Sequence, residues 1–403
     1  MNLLQTVFVY IAPFVLVITV IVVAHEMGHF LTARAFGVAV DRFSIGFGRP
    51  ILSWRDRGGV EWRIGWLPLG GYVRFSGDEN AASIPVTGDL AALRQGIVER
   101  EGAGAERRYI LFKPLWQRTL VVLAGPAANF LLAVVLFAVF FGVFGEPQSS
   151  TRVDQVIPGS AADAAGLRAG DTLVSLDGRG LRDFQDLQSY VQYRAGVPIR
   201  LAFRRGDDLL AATVTPQAIS EPSPFGGAQT IGRLGLAASA ANTHLRRFGP
   251  LEAVVEGVRK TAQVTGTTIF YLGRIVTGQV SAAQLHSAVG IAKLSGAMTS
   301  QAVAGAAQTR TSPVFAVASI LLQLTALMSV SVGLLNLAPV PTLDGGHLLF
   351  YAYEWVARAP PRPSVMAAGY RLGLALLVGL MLFATWNDLQ RLRVIHLFGS
   401  LFS

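Results

Sequence analysis

Four runs free of Asp, Glu, Lys and Arg constrain the fold more than anything else in the chain: residues 1–24, 119–145, 311–343 and 372–386. A helix rises about 1.5 Å per residue, so about 20 apolar residues cross a hydrocarbon core of about 30 Å. The first three runs reach that length unaided. The fourth reaches it when residues 365–386 form the span and Arg371 extends its charge to an interface. We therefore expect a polytopic α-helical membrane protein with about four transmembrane helices. Composition agrees, with 52% hydrophobic and 15% charged residues, too apolar for an ordinary soluble chain. The first run shows neither a basic stretch before it nor a small-residue cleavage site, and reads as a retained helix rather than a signal peptide.

Just past the first run stands His25-Glu26-Met27-Gly28-His29. On a helix His25 and His29 leave the same face one turn apart, as two ligands of one metal must. Glu26 can then reach a metal-bound water without being a ligand. This is the zinc-peptidase pattern His-Glu-x-x-His. Three ionisable groups in one and a half turns of a membrane segment would cost several kcal/mol unless paired or metal-bound. The chain has no cysteine, so a metal here must use His and carboxylate. A third ligand is still needed. The carboxylates within or bordering the apolar runs are Glu26, Glu146, Asp344 and Asp388. Glu26 is taken as the base, and Glu146 and Asp388 border spans with no second polar cluster, so Asp344, at the end of a helix broken by Pro339 and Pro341, is the best candidate. His347, one turn further on, is its rival or a supporting residue.

Between the first two spans, residues 34–118 hold 13 Lys and Arg. The positive-inside rule makes that loop cytoplasmic and the N-terminus external. Residues 51–66 alternate around Gly58-Gly59 as a β-hairpin does, and residues 68–75 read as a further extended segment. That sheet is either a plain cytoplasmic element or an open edge able to pair with an extended substrate. The second span carries Asn129, a polar group that needs a partner in the bundle. Next comes a soluble-like region whose Gly166-Leu167-x-x-Gly170-Asp171 and Asp177-Gly178 closely resemble a bacterial, circularly permuted PDZ domain. The expected divisions are 1–37, first span; 38–115, cytoplasmic loop with β-hairpin; 116–145, second span; 146–220, one extracytoplasmic PDZ domain; 221–313, a region of amphipathic helices, with 268–276 on the membrane surface. They continue as 314–343, third span; 344–364, a loop carrying the third ligand at its start; 365–389, fourth span; and 390–403, a tail. Four spans return the C-terminus to the external side.

Taken together, His25-Glu26-x-x-His29, Gly125-Pro126-x-x-Asn129, the PDZ insert and Asn336-x-x-Pro339-x-Pro341-x-Leu343-Asp344-Gly345 resemble the site-2 protease family of intramembrane zinc metalloproteases. The resemblance covers nearly the whole chain and is nearest the bacterial proteases that regulate sigma-E. It implies one Zn2+ held by His25, His29 and Asp344, with Glu26 as catalytic base. It also implies a membrane-associated β-loop around Gly70, Gly71 and Tyr72 that holds substrate, with Asn129 and Asn336 near the substrate backbone. Two departures stand out: one PDZ domain instead of the familiar pair, and His286-Ser287-Ala288 where Ser-Gly-Pro is common.

The expected function is hydrolysis of a peptide bond within or near the transmembrane segment of a single-pass membrane protein. The expected place is a bacterial inner membrane, with the active site toward the cytoplasm. The partners are membrane lipids and a substrate already cut by a site-1 protease, such as an anti-sigma factor in a stress-response relay, or a remnant signal peptide. Nucleic acid is not expected, since the net charge of +9 is dispersed and comes with no nucleic-acid motif. The competing reading is an inactive metal-binding PDZ scaffold, and the intact Glu26 argues against it.

Overall fold

A computed structural model describes residues 11–77, 90–222, 228–238, 244–278, 288–309 and 312–391. In chain order the elements begin with helix α1 (Ala12–Ala35), strands β1 (Val40–Arg55) and β2 (Glu61–Phe75), and helices α2 (Leu90–Glu101) and α3 (Leu115–Val139). The α3 backbone runs on through a π-turn, Phe140–Phe144. Strands β3 (Glu146–Gln148) and β4 (Val153–Val156), helix α4 (Ala161–Ala164), strands β5 (Thr172–Leu176) and β6 (Arg179–Gly180) and helix α5 (Phe184–Val191) follow. After them come β7 (Ile199–Arg205), β8 (Asp208–Val214), β9 (Gln217–Pro222), β10 (Ala228–Arg233), β11 (Leu236–Ala238) and β12 (His244–Arg246). The chain closes with helices α6 (Pro250–Val276), α7 (Ala288–Thr309), α8 (Pro313–Asn336), α9 (Asp344–Ala357) and α10 (Pro363–Arg391).

Among the described residues, four helices are long and apolar enough to cross a membrane: Ala12–Ala35, Leu115–Phe144, Pro313–Asn336 and Pro363–Asp388. Proline sits in the first turn of α1 and α8, where its missing N–H costs nothing because that donor has no helical partner anyway. The start of the expected first span, residues 1–10, lies outside the described residues, as do most of the expected tail and His286-Ser287.

The chain divides into two compact units. The first comprises Met1–Phe137, Gly257–Thr265 and His286–Trp386. Its sheet is richer than a single hairpin. Beyond the turn at Gly58-Gly59, β1 residues 50–55 pair with β2 residues 61–65, while the earlier part of β1 is flanked on both sides by β2. Ser44 pairs with Arg63 on one side and Tyr72 on the other, and Ile45 with Ile64 and Gly71. Four segments therefore lie side by side in the order 50–55, 61–67, 40–47, 71–75. Among the described residues no further strand pairs with 71–75, which is an open edge. Phe30 of α1 packs into this sheet beside Val40, Phe43 and Val73.

One expected division of this unit needs correction. Residues 344–357 are helix α9 rather than part of a loop. Gly345 and Gly346 are poor helix formers and two prolines stand just upstream, so the sequence reads as irregular. Both glycines are buried where the chain folds back on itself. A Cβ on Gly345 would collide with the carbonyls of Leu337 and Ala338, and one on Gly346 with the Pro341 backbone. The glycines serve this close approach rather than a flexible loop. Asp344 opens the helix, where a carboxylate complements the positive end of the helix dipole.

The second unit comprises Ala138–Glu256, Gly266–Leu285 and Asn387–Ser403. Its four-stranded antiparallel sheet has the order β6-β5-β7-β8, and Val153, Leu173, Leu176, Leu187, Ile199 and Leu201 form its core. Asp171 is almost fully buried, and Arg205 grips it with two hydrogen bonds of 2.8 and 2.9 Å. Burial opposes ionisation of Asp171. The Arg205 pair and the Arg168 N–H outweigh it and hold the carboxyl below the usual range. The expected domain end at residue 220 is too early: β9 pairs with β10, and β11 pairs back onto β4 with Leu236 opposite Val156. Strands this short, around a Pro/Ser/Gly-rich stretch, leave no clear alternation in the sequence. The expected membrane-surface segment 268–276 belongs to α6; one side of it packs on protein, while Ile269, Leu272 and Val276 are exposed. Arg274 donates to the carbonyls of Tyr193 and Ala195 at 2.8 and 3.0 Å, and Arg194 lies over the Phe270 ring at 4.2 Å.

Candidate metal centre

Within the first unit, α1, α3, α8 and the start of α9 meet around the histidines. His25 and His29 sit one turn apart on α1, with Nε2 atoms 3.1 Å apart. The Asp344 Oδ2 lies 3.2 Å from His25 Nε2 and 3.6 Å from His29 Nε2. Among the described residues these three form the group of side chains able to share a metal, with ligand atoms all within 4.8 Å. Bonds of about 2.0–2.1 Å to one tetrahedral zinc place ligand atoms about 3.3 Å apart, which matches the observed separations. Ring polarity fits as well. His29 Nδ1 lies 2.8 Å from the Val121 carbonyl, which can only accept, so in the neutral ring Nε2 is the bare nitrogen facing inward. Asp344 Oδ2 is buried without a hydrogen-bond donor. The bare Nε2 of His29 and the Asp344 Oδ2 thus converge with His25 Nε2 on one point, an arrangement a cation satisfies.

His347 is not in this group. Its Nδ1 lies 3.4 Å from the Tyr370 hydroxyl of α10, so its partner is on the neighbouring helix. The Asp344 helix is anchored at its far end too: Arg118 of α3 makes two hydrogen bonds, 3.2 and 2.5 Å, to Glu354 of α9.

Small residues let the helices close on the site. A Cβ on Gly28 would strike the Ala124 carbonyl, and one on Gly125 would strike His29 Nε2 and His25 Cε1. Gly125→Ala is therefore expected to push both imidazoles aside. Zinc bound by the purified protein should fall at least tenfold while helicity by circular dichroism stays unchanged.

A cavity of about 340 Å³ opens beside His25 and Asp344. Glu26, Gly70, Gly71, Asn336 and Thr342 help to line it. The Val73 backbone N–H bonds the Glu26 carboxylate, so the open sheet edge and the carboxylate are in direct contact. A Cβ on Gly71 would press on the Ser44 carbonyl at 2.8 Å and on Val22 at 2.9 Å. Glycine brings the edge strand this close to α1. Tyr72 turns away from the cavity: its hydroxyl is 3.3 Å from Arg42 and its ring stacks on Phe47. Asn336 Nδ2 is 3.3 and 3.5 Å from the two ring nitrogens of His25. In the ring plane such near-equal distances would put the amide on the Cε1 hydrogen, so this amide lies over the ring face, and Asn336 also lines the cavity.

Asn129, expected near the substrate backbone, is 0% exposed. It packs behind His25 and does not line the cavity, which corrects that expectation. Segment 40–47 was missed by sequence reasoning. Its buried positions Val40, Phe43, Ser44 and Gly46 do not alternate, because neighbours on both sides displace the register.

A family model for peptidase family M50 matches residues 13–380. Similar proteins include "Metalloprotease MmpA" of Caulobacter vibrioides, 46% identical over 96% of this chain and 97% of that protein. Another is "Putative zinc metalloprotease Atu1380" of Agrobacterium fabrum, 39% identical over 95% of this chain and 96% of that protein. Of solved structures, the PDZ domain of the SdrC-like protein Lmo2051 from Listeria monocytogenes is similar over 22% of this chain and 87% of that chain. It shows 21% identity and a TM-score of 0.18, a likeness too slight to carry an argument. The family model takes in the helix of the two histidines, Asp344 and most of the last apolar helix, and the two relatives match almost end to end; the chain belongs to peptidase family M50.

Proposed function

We propose that this protein is a zinc metalloendopeptidase that cuts a peptide bond within or beside the transmembrane segment of a single-pass membrane protein. The observation that carries the reading is the convergence of His25 Nε2, His29 Nε2 and Asp344 Oδ2 beside Glu26, in a cavity bordered by an open strand edge. His25, His29 and Asp344 would hold one zinc ion. When bound, such an ion supplies Lewis-acid activation of a water and of the scissile carbonyl. Glu26 takes a proton from the attacking water on its carboxylate and gives it to the leaving amine. A helical substrate keeps its carbonyls in internal hydrogen bonds and must unwind before it can be cut. Segment 71–75 offers unwound backbone the ladder partners it would otherwise lack in a membrane. Asn336, Gly70 and Gly71 are the substrate-facing groups of this site.

By the positive-inside rule the cytoplasmic loop is 38–115, which puts both termini and the PDZ-like region outside the cytoplasm of a bacterial inner membrane. From that position the PDZ-like region acts as a filter for substrates trimmed by an earlier protease, such as an anti-sigma factor or a remnant signal peptide. The test is to reconstitute the purified protein with a tagged single-pass substrate, full-length and pre-trimmed, and map the products by mass spectrometry. A cut within or beside the spanning segment, faster for the trimmed form, is expected. Cleavage confined to the soluble part would overturn the intramembrane reading. Equal rates for the two forms would overturn the filter.

A further inference from the structure

The two candidate metal-binding histidines are supported in different ways. His29 Nδ1 faces a main-chain carbonyl, Val121, which cannot change its polarity. His25 Nδ1 faces the side-chain amide of Asn129, with Nδ2 at 3.2 Å. The Asn129 Oδ1 is buried with no partner. If Nδ2 donates to His25 Nδ1, the neutral ring carries its proton on Nε2, the very atom that faces His29 and Asp344. A neutral imidazole has one N–H and one lone pair, so that ring offers nothing to a cation. Turning the amide by half a rotation exchanges its oxygen and nitrogen within nearly the same shape. Oδ1 then accepts the Nδ1 proton, and the Nε2 lone pair points at the shared site. One amide end is unpartnered either way, so the ring decides the orientation.

We propose that Asn129 is a positioning residue for the metal site: its amide oxygen accepts the His25 Nδ1 proton and selects the tautomer in which Nε2 is a ligand. Its surroundings suit that role. The Asn129 carbonyl accepts a 2.8 Å hydrogen bond from Ser329 of α8, and its Cβ lies 3.3 Å from where a Cβ on Gly333 would be, so α3 and α8 grip the residue at this level. Complete burial keeps it from substrate. Hydrogen-bond partners of ligating histidines commonly carry this function, and their loss costs about 10–100-fold in metal affinity.

The proposal rests on the metal reading of the site, and zinc binding separates the two. Full-length protein in detergent, stripped of metal, is titrated with zinc against a chromophoric chelator for wild type, Asn129→Leu and Asn129→Asp. Leucine keeps the branching, with somewhat greater bulk, and offers no acceptor, and affinity is expected to fall about 10–100-fold. Aspartate presents only acceptors and should stay within a few-fold of wild type, although a purely structural role would make a buried carboxylate the worse substitution. Equal affinity for wild type and Asn129→Leu would overturn the positioning role. So would an Asn129→Asp variant as weak as Asn129→Leu, or a raised KM with unchanged zinc affinity, which would return Asn129 to substrate contact. A wild type that binds no zinc would overturn the metal reading as well.

Discussion

Glu26→Gln is expected to reduce cleavage of a reconstituted single-pass substrate by about 10²–10⁴-fold, the usual contribution of a general acid–base group. The zinc bound per chain should not change. Glutamine has the shape of glutamate, and its amide oxygen can still accept the Val73 N–H that orients the carboxylate. What it lacks is a site that can take up a proton. Glu26 is also outside the set of three converging ligand atoms, so the variant separates chemistry from metal binding. The measurement is a single-turnover cleavage rate together with metal content on the same preparation. Cleavage at the wild-type rate would remove Glu26 from the mechanism. Loss of zinc alongside activity would make it a ligand instead of a base.

The sequence is most informative where chemistry and periodicity coincide. His25, Glu26 and His29 can be placed together without a structure because five residues on one helix determine which of them share a face. Apolar length alone marks the four long helices, each of which overlaps one of the uncharged runs although the ends do not coincide. Asp344 is harder: it lies more than three hundred residues from the histidines, and only the shortage of carboxylates near apolar runs singles it out. Its helical setting is hidden, since Gly345 and Gly346 look like loop residues until the carbonyls of Leu337 and Ala338 are seen against them. Asn129 shows a limit of another kind. Its residue type announces a polar partner in the bundle, but a partner on a different helix has no local signature. Only the packing of α3 against α1 and α8 reveals that the partner is the back of His25.

Asp344→Asn tests the half of the site that comes from the far end of the chain. The substitution preserves volume and one oxygen, but it removes the negative charge that offsets a divalent cation and replaces one acceptor by a donor facing two ring nitrogens. Zinc affinity is expected to fall by more than the roughly 10–100-fold typical of losing a supporting residue, with proteolysis lost in parallel. The variant should still fold, because Arg118–Glu354 anchors the other end of α9 and the glycine contacts before it are untouched. The informative control is His347→Ala. That residue sits one turn beyond Asp344 and has its partner in Tyr370, so its loss should leave zinc affinity within a few-fold of wild type. The opposite pattern, zinc kept by Asp344→Asn and lost by His347→Ala, would move the third ligand one turn along α9. Either way the two variants decide the ligand set by direct metal titration, independently of any substrate.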